Sequence, residues 1–114
     1  MGLPSAADLA PDIAARTEHA TERLRELPGS SDDFRPAGVD AIREAGLHRL
    51  MLPAADGGQG AGMHDAVEVL AAIAAVDASL ALGLAMQTQV LGAAVETRGW
   101  PEVPFRRLVA AVRD

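Results

Sequence analysis

Residues 69–95 read VLAAIAAVDASLALGLAMQTQVLGAAV, and Asp77 is the only charged side chain among them. A surface helix has one apolar stripe and one polar face, whereas a helix through this segment would be apolar on every side. Such a helix has to be surrounded by other protein. The segment therefore predicts a central helical element, and we expect more protein than these 114 residues to enclose it.

The residues before this segment also follow helical spacing, because their apolar positions recur every three or four residues. A first amphipathic helix is expected to begin between Ser5 and Pro11 and to run to Leu27. Ser5 and Asp8 have the spacing of a capping pair, and proline suits a first helical turn. A second helix is expected over residues 36–46, and its final glycine suits a left-handed C-terminal cap.

The remaining elements are also helical. Residues 47–53, LHRLMLP, are too short and too aperiodic to be assigned to a strand. The long helical stretch over residues 63–95 is expected to split at Asp77–Ser79, because Asp and Ser are good N-caps. A last helix begins near residues 102–104. The pattern as a whole predicts one all-α domain over residues 1–114, a helical bundle of about five helices.

The glycine loop, residues 56–62 with the sequence DGGQGAG, could be a phosphate cradle or a plain reversal between helices. A Walker loop needs a lysine, and the chain has none. The dinucleotide fingerprint needs a third glycine where Met63 stands, and it also needs a preceding strand. The pattern favours a tight reversal in which glycines allow positive φ and close backbone approach.

Composition excludes several classes of function. All ten basic residues are arginines and the net charge is −6, which argues against nucleic-acid binding. The absence of cysteine excludes disulfides and thiolate chemistry and fits a reducing compartment, so we expect a cytoplasmic protein. The uncharged run 78–95 is near the length of a membrane span, about 18 residues. Its alanines, glycines and polar residues 87–89 favour a buried soluble helix over a span.

The three histidines do not indicate a reaction centre. His19 lies among charged residues and is expected at the surface, and His48 is expected to form hydrogen bonds there. His64 and Glu68 can share a helix face, but they lack a third metal ligand. The sequence therefore supplies neither a catalytic residue nor a metal site.

The stretch from Ile42 to Pro101 carries an ordered set of features. A short helix ends in AGL, an apolar run ends in proline, and paired glycines follow; then come an alanine-rich helix, the DASLAL junction and a second apolar helix. This order resembles the N-terminal helical domain of acyl-CoA dehydrogenases and their flavin-dependent relatives, and the likeness extends loosely to the first helix. One departure is Asp56, where relatives often carry an aromatic residue.

The resemblance implies an FAD-dependent oxidoreductase that acts on CH–CH groups of acyl thioesters, with a middle β-domain and a C-terminal helical domain that are absent here. FAD would be bound mainly by those two domains, and the glutamate base would lie in the last one. Neither a catalytic nor a cofactor-binding residue is therefore carried over to this chain. The implied partners are acyl-CoA or a related small molecule and further copies of the full-length protein, with no nucleic acid and no membrane.

The resemblance also implies that the second apolar helix forms one wall of the flavin and acyl cavity. By position in DASLALGLAMQTQ, that wall would draw on Leu82, Ala85, Met86 and Gln89. The alternative is that these four residues belong to the core of a buried helix. Three other functions stay open: a flavin-dependent monooxygenase of the same fold, a self-contained helical module that grips a partner helix, and a small membrane-associated helical protein.

Overall fold

The structure is a computed structural model that describes residues 10–30, 32–97 and 99–113. Within these ranges the chain forms α-helices and short 3-10 turns and contains no strand, which confirms the predicted all-α class. The five helices are α1 (Pro11–Glu26), α2 (Pro36–Glu44), α3 (Met63–Ala74), α4 (Ala78–Thr97) and α5 (Glu102–Arg113). α3 and α4 pack side by side as a hairpin, and α1 packs against both α2 and α3.

The first two helices have the expected amphipathic form. α1 starts with Pro11 and buries a stripe that includes Ile13, Ala20 and Leu24. The expected capping pair of residues 5 and 8 lies outside the described residues. α2 ends at Glu44, and Gly46 follows its C-cap with φ of 76° and ψ of 9°, which confirms the predicted left-handed cap.

The junction between α3 and α4 is built around Asp77, as the sequence predicts. Asp77 Oδ1 accepts a hydrogen bond from the Leu80 N–H at 3.0 Å, so it caps the first turn of α4. Its other carboxylate oxygen accepts a hydrogen bond from Arg35 Nη2 at 2.9 Å. The Asp77 side chain is buried, with 3% exposed, and the Arg35 side chain is largely buried, with 12% exposed. The sequence did not indicate this ion pair, which joins the start of α4 to the start of α2.

The connector, residues 45–52, forms the centre of the core although none of it is α-helical. It contains a 3-10 turn at Leu47–Arg49. Leu47, Leu50 and Leu52 are each no more than 1% exposed. The connector contacts α2, α4 and α5. The stretch that the sequence left unassigned is therefore an irregular segment with the burial of a core helix.

The glycine loop folds back on the connector and supplies its hydrogen bonds. The N–H groups of residues 59–61 donate in turn to the carbonyls of Arg49, Leu52 and Leu50, at 3.3, 2.8 and 3.0 Å. A buried carbonyl without a partner is costly, and an irregular segment cannot satisfy its own carbonyls as a helix does. The loop lets the connector stay irregular in the core. The predicted role of the glycines, a close reversal of the backbone, is confirmed.

An ion pair joins the glycine loop to α5. Asp56 Oδ1 accepts a hydrogen bond from Arg106 Nη1 at 2.8 Å, and the Asp56 side chain is 15% exposed. Arg106 also donates to Glu102 at 3.0 Å, within the same helix. Asp56, the position at which the sequence departs from the pattern of the family that it resembles, therefore makes a charged contact to the last helix.

Candidate functional site

One side of α4 is apolar and uncovered. We call this surface the α4 flank; it comprises Leu82, Ala85, Met86, Gln89 and Val90. Leu82 is 66% exposed, Met86 63% and Val90 53%. These side chains are spaced four residues apart, so they form one stripe along the helix. The expected uncovered surface on the apolar segment is therefore present, and it lies on α4.

The four residues proposed for the cavity wall all belong to this flank. Leu82, Met86 and Gln89 are exposed, and Ala85 is half-buried. The opposite side of α4 is the buried one, with Ala81, Leu84, Thr88 and Leu91 facing the core. The three exposed members are therefore not part of the core of this domain itself. Their role in a substrate pocket stays a prediction.

A cleft of about 180 Å³ lies beside the flank, between α2, the connector and α4. Most of its lining is apolar, and polar groups come from both sides. The lining residues are Phe34, Val39, Ile42, Arg43, His48, Ser79, Leu80, Gly83, Leu84 and Gln87. Sequence reasoning missed this cleft, since its walls come from three separate segments. Gly83, one of two glycines in the uncharged helix, was the one sequence signal that a gap forms there.

Gln87 fixes one wall of the cleft. Its Nε2 donates to the backbone carbonyl of His48 at 2.8 Å, which ties α4 to the connector across 39 residues of sequence. His48 itself is buried, 6% exposed, so the expectation of a surface histidine is wrong. Its Nε2 accepts a hydrogen bond from Arg49 Nε at 3.1 Å. His48 is buried because its apolar neighbours in the connector, Leu47 and Leu50, are packed in the core.

Burial lowers the pKa of His48 below its usual value of 6.5, and the charges of Arg43 and Arg49 lower it further. The backbone of Arg113 acts weakly in the opposite direction. Desolvation and positive neighbours both disfavour the imidazolium, so the folded protein protonates His48 less readily than the unfolded chain does.

We expect the free energy of unfolding to fall as the pH drops below 6.5. In that range the unfolded chain protonates His48 more readily than the folded chain does, so the unfolded state binds more protons. The loss is at most about 1.4 kcal/mol per pH unit and ceases below the lowered pKa. Urea unfolding at pH 7.5, 6.5 and 5.5 measures it. His48→Gln should flatten this part of the profile, whereas the exposed His64→Gln should leave it unchanged. Equal profiles for the two variants would contradict the assignment.

The described residues form neither a metal site at His64 and Glu68 nor a phosphate site at residues 57–61 of the glycine loop. His64 is exposed while Glu68 is buried, and within the described part of the chain there is no group of three potential metal ligands. The N–H groups of residues 57–61 all donate to backbone carbonyls, so this part of the loop presents no amide cradle to a phosphate.

α4 is also the one described helix that is long and apolar enough to cross a membrane. It has 20 residues, and its most apolar window has a mean hydropathy of 1.4 with 33% of that window buried. Core helices of soluble proteins meet the same criteria of length and composition. The expectation of no membrane therefore stays a prediction.

Comparison with known proteins gives two matches. The profile of the acyl-CoA dehydrogenase N-terminal domain matches residues 8–111. A curated relative, the probable FMNH2-dependent monooxygenase SfnC of Pseudomonas putida, is 50% identical over 42 residues. That stretch covers 37% of this chain and only 11% of the relative. No solved structure matches the chain.

Proposed function

Since this chain belongs to the acyl-CoA dehydrogenase family as its N-terminal domain, we propose that it forms one wall of the flavin and acyl cavity of an FAD-dependent oxidoreductase acting on CH–CH groups of acyl thioesters. The residues that contact the acyl chain are Leu82, Ala85, Met86 and Gln89. The chain is not catalytic alone, since the base and most of the flavin site would be in the other two domains.

The observation that carries the proposal is the exposure of the α4 flank. Leu82, Met86 and Val90 leave more than half of their side chains uncovered in a helix with no charge before Glu96. Apolar surface left in water forgoes about 25 cal/mol per Å². A contiguous apolar stripe on a domain surface marks a site of contact with protein or ligand. An acyl chain and the adjoining domain would cover it.

The role of this chain toward the flavin is limited by its own hydrogen bonds. Residues 57–61 of the glycine loop use their N–H groups internally, so this part of the loop does not fit the phosphates of FAD. Flavin, held by the other domains, would supply the electron-accepting chemistry. The α4 flank would exclude water from the cavity and position the acyl chain, which raises the effective concentration of the reacting groups.

We expect Met86→Trp in the full-length enzyme to shift acyl-chain preference toward shorter substrates by about tenfold or more in relative kcat/KM. The larger side chain would occupy space that the distal methylenes need, and each excluded methylene changes discrimination by about 1–3 kcal/mol. The measurement is kcat/KM over a series of acyl-CoA lengths, together with quenching of flavin fluorescence by iodide.

Val103→Trp is the matched control, because Val103 on α5 is 62% exposed and Met86 is 63% exposed. The control should keep the wild-type preference. If Met86→Trp changes neither chain-length preference nor flavin accessibility, the pocket assignment is wrong.

A second candidate is a flavin-dependent monooxygenase of the same fold, favoured by the similarity to SfnC. The two activities differ in what they consume. A dehydrogenase reduces its flavin with acyl-CoA in the absence of oxygen, whereas a monooxygenase requires reduced flavin and oxygen. Anaerobic bleaching of the bound flavin by an acyl-CoA series would favour the dehydrogenase, and oxygen uptake dependent on reduced flavin would favour the monooxygenase.

The full-length protein would be a cytoplasmic homo-oligomer that binds acyl-CoA or a related small molecule, without nucleic acid or membrane. The net charge of −6 and the absence of cysteine support the cellular setting. The rival, a self-contained helical module, would bind an amphipathic helix on the same α4 flank without flavin. Copurification of flavin with the full-length protein separates the two.

A further inference from the structure

The cleft between α2, the connector and α4 has the size of a small ring. Its volume is about 180 Å³, and an apolar cavity of about 150 Å³ is known to bind benzene. Five of its lining side chains are apolar: Phe34, Val39, Ile42, Leu80 and Leu84. Concave, mainly apolar sites with a few polar groups are the usual form of small-molecule sites. Since benzene has six non-hydrogen atoms and fits about 150 Å³, the cleft is large enough and apolar enough for a ligand of about six or seven non-hydrogen atoms.

Gly83 lines the cleft. It lies in the middle of α4, and glycine is among the poorest residues for a helix interior. A Cβ added at Gly83 would meet nothing within 4 Å, whereas one at Gly92, in the same helix, would come within 2.9 Å of Met51. Packing within the described chain thus accounts for Gly92 but not for Gly83. The open space at Gly83 is on the side of α4 that lines the cleft.

Phe34 favours an aromatic occupant. Its side chain lines the cleft while remaining 70% exposed. Aromatic rings pack favourably in offset or edge-to-face geometry, and a bound ring would cover part of this exposed surface. The cleft also offers polar groups. Ser79 lines it with a hydroxyl. Gln87 donates its amide N–H to the His48 carbonyl, and its own side-chain carbonyl oxygen can still accept a hydrogen bond. A single hydroxyl on the ring could therefore be hydrogen-bonded.

We propose that this cleft is a binding site for an uncharged aromatic ring, with Gly83 as the residue that leaves room for it and Phe34 as its stacking partner. The site is formed entirely by this chain. It does not depend on the proposed acyl cavity, and either proposal can fail without the other.

The test is a titration of the chain with toluene and with phenol, followed by NMR chemical shifts, with circular dichroism to verify the helices. Saturable shifts are expected at the backbone amides of Ser79, Leu80 and Gly83. Gly83→Leu should weaken binding at least tenfold, because the side chain fills the cleft. Ala93→Leu is the matched control: it adds the same side chain at an exposed position of α4 outside the cleft, and binding should stay within twofold.

Two further variants keep the test decisive. Phe34→Ala should weaken binding severalfold without altering the helices, since Phe34 is exposed. Ser79→Leu places a larger side chain in the cleft at the first turn of α4. This variant is used for the same test if Gly83→Leu does not fold. Shifts that never saturate, or affinities that Gly83→Leu or Ser79→Leu leaves unchanged, would overturn the proposal.

Discussion

Asp77→Ala is expected to lower the free energy of unfolding by about 3–5 kcal/mol. The change leaves the buried guanidinium of Arg35 without its carboxylate, 2.9 Å away, and an uncompensated buried charge is costly. It also removes the hydrogen bond to the Leu80 N–H that caps α4. Since domains of this size are stable by about 5–15 kcal/mol, the variant should be close to unfolding. Urea denaturation followed by circular dichroism measures the loss.

Asp12→Ala provides the control for this variant. Asp12 pairs with Arg16 at 3.0 Å, but its side chain is 67% exposed, so the expected loss is about 1 kcal/mol or less. Asp77→Ser keeps an N-cap oxygen and removes only the charge, and combining it with Arg35→Met should recover part of the stability. Equal losses for the alanine variants of Asp12 and Asp77 would show that the buried pair is not a major support of the fold.

Gly58→Ala is expected to lower the free energy of unfolding by about 3 kcal/mol, the upper part of the range for overpacking. An added Cβ would overlap the carbonyl oxygens of Arg49 and Leu52 and the Leu52 Cβ. Backbone in a hydrogen-bonded loop cannot move aside as the end of a flexible side chain can. The backbone of the connector would have to shift, with the leucines of the core. Thermal and urea unfolding measure the effect.

Gly62→Ala is the matched control in the same loop. A Cβ at Gly62 meets nothing within 4 Å, and its φ of −92° is open to any residue. We expect a change within about 0.5 kcal/mol, as for ordinary surface substitutions. If the two variants are equally stable, close backbone approach is not the reason for glycine at position 58.

Local patterns were enough to predict most of the helices. Helical spacing indicated all five, the glycine at position 46 ended α2 as expected, and Asp77 separated α3 from α4. These features depend on residues within one or two turns of each other, so the sequence contains them directly. The order of the elements was also sufficient to identify the family by resemblance, and the profile match confirmed it.

Contacts between distant segments were not predictable in the same way. Asp77 is 42 residues from Arg35, and Asp56 is 50 residues from Arg106. A lone carboxylate in an apolar run indicates that a partner exists, but it does not say which of ten arginines that partner is. His48 was placed at the surface for a related reason: its burial depends on how the connector lies under α5 and α4.

The sequence by itself determined the helices, the reversal at the glycine loop and the apolar character of residues 69–95, because each follows from short-range geometry and side-chain chemistry. Only the tertiary structure decided which side of α4 stays bare, which residues form the cleft and which charges are paired. The physical reason is that a helix without a polar face has no sequence pattern that indicates which of its sides is exposed to solvent. Packing against α3 and the connector selects the buried side, and the α4 flank is the surface that remains.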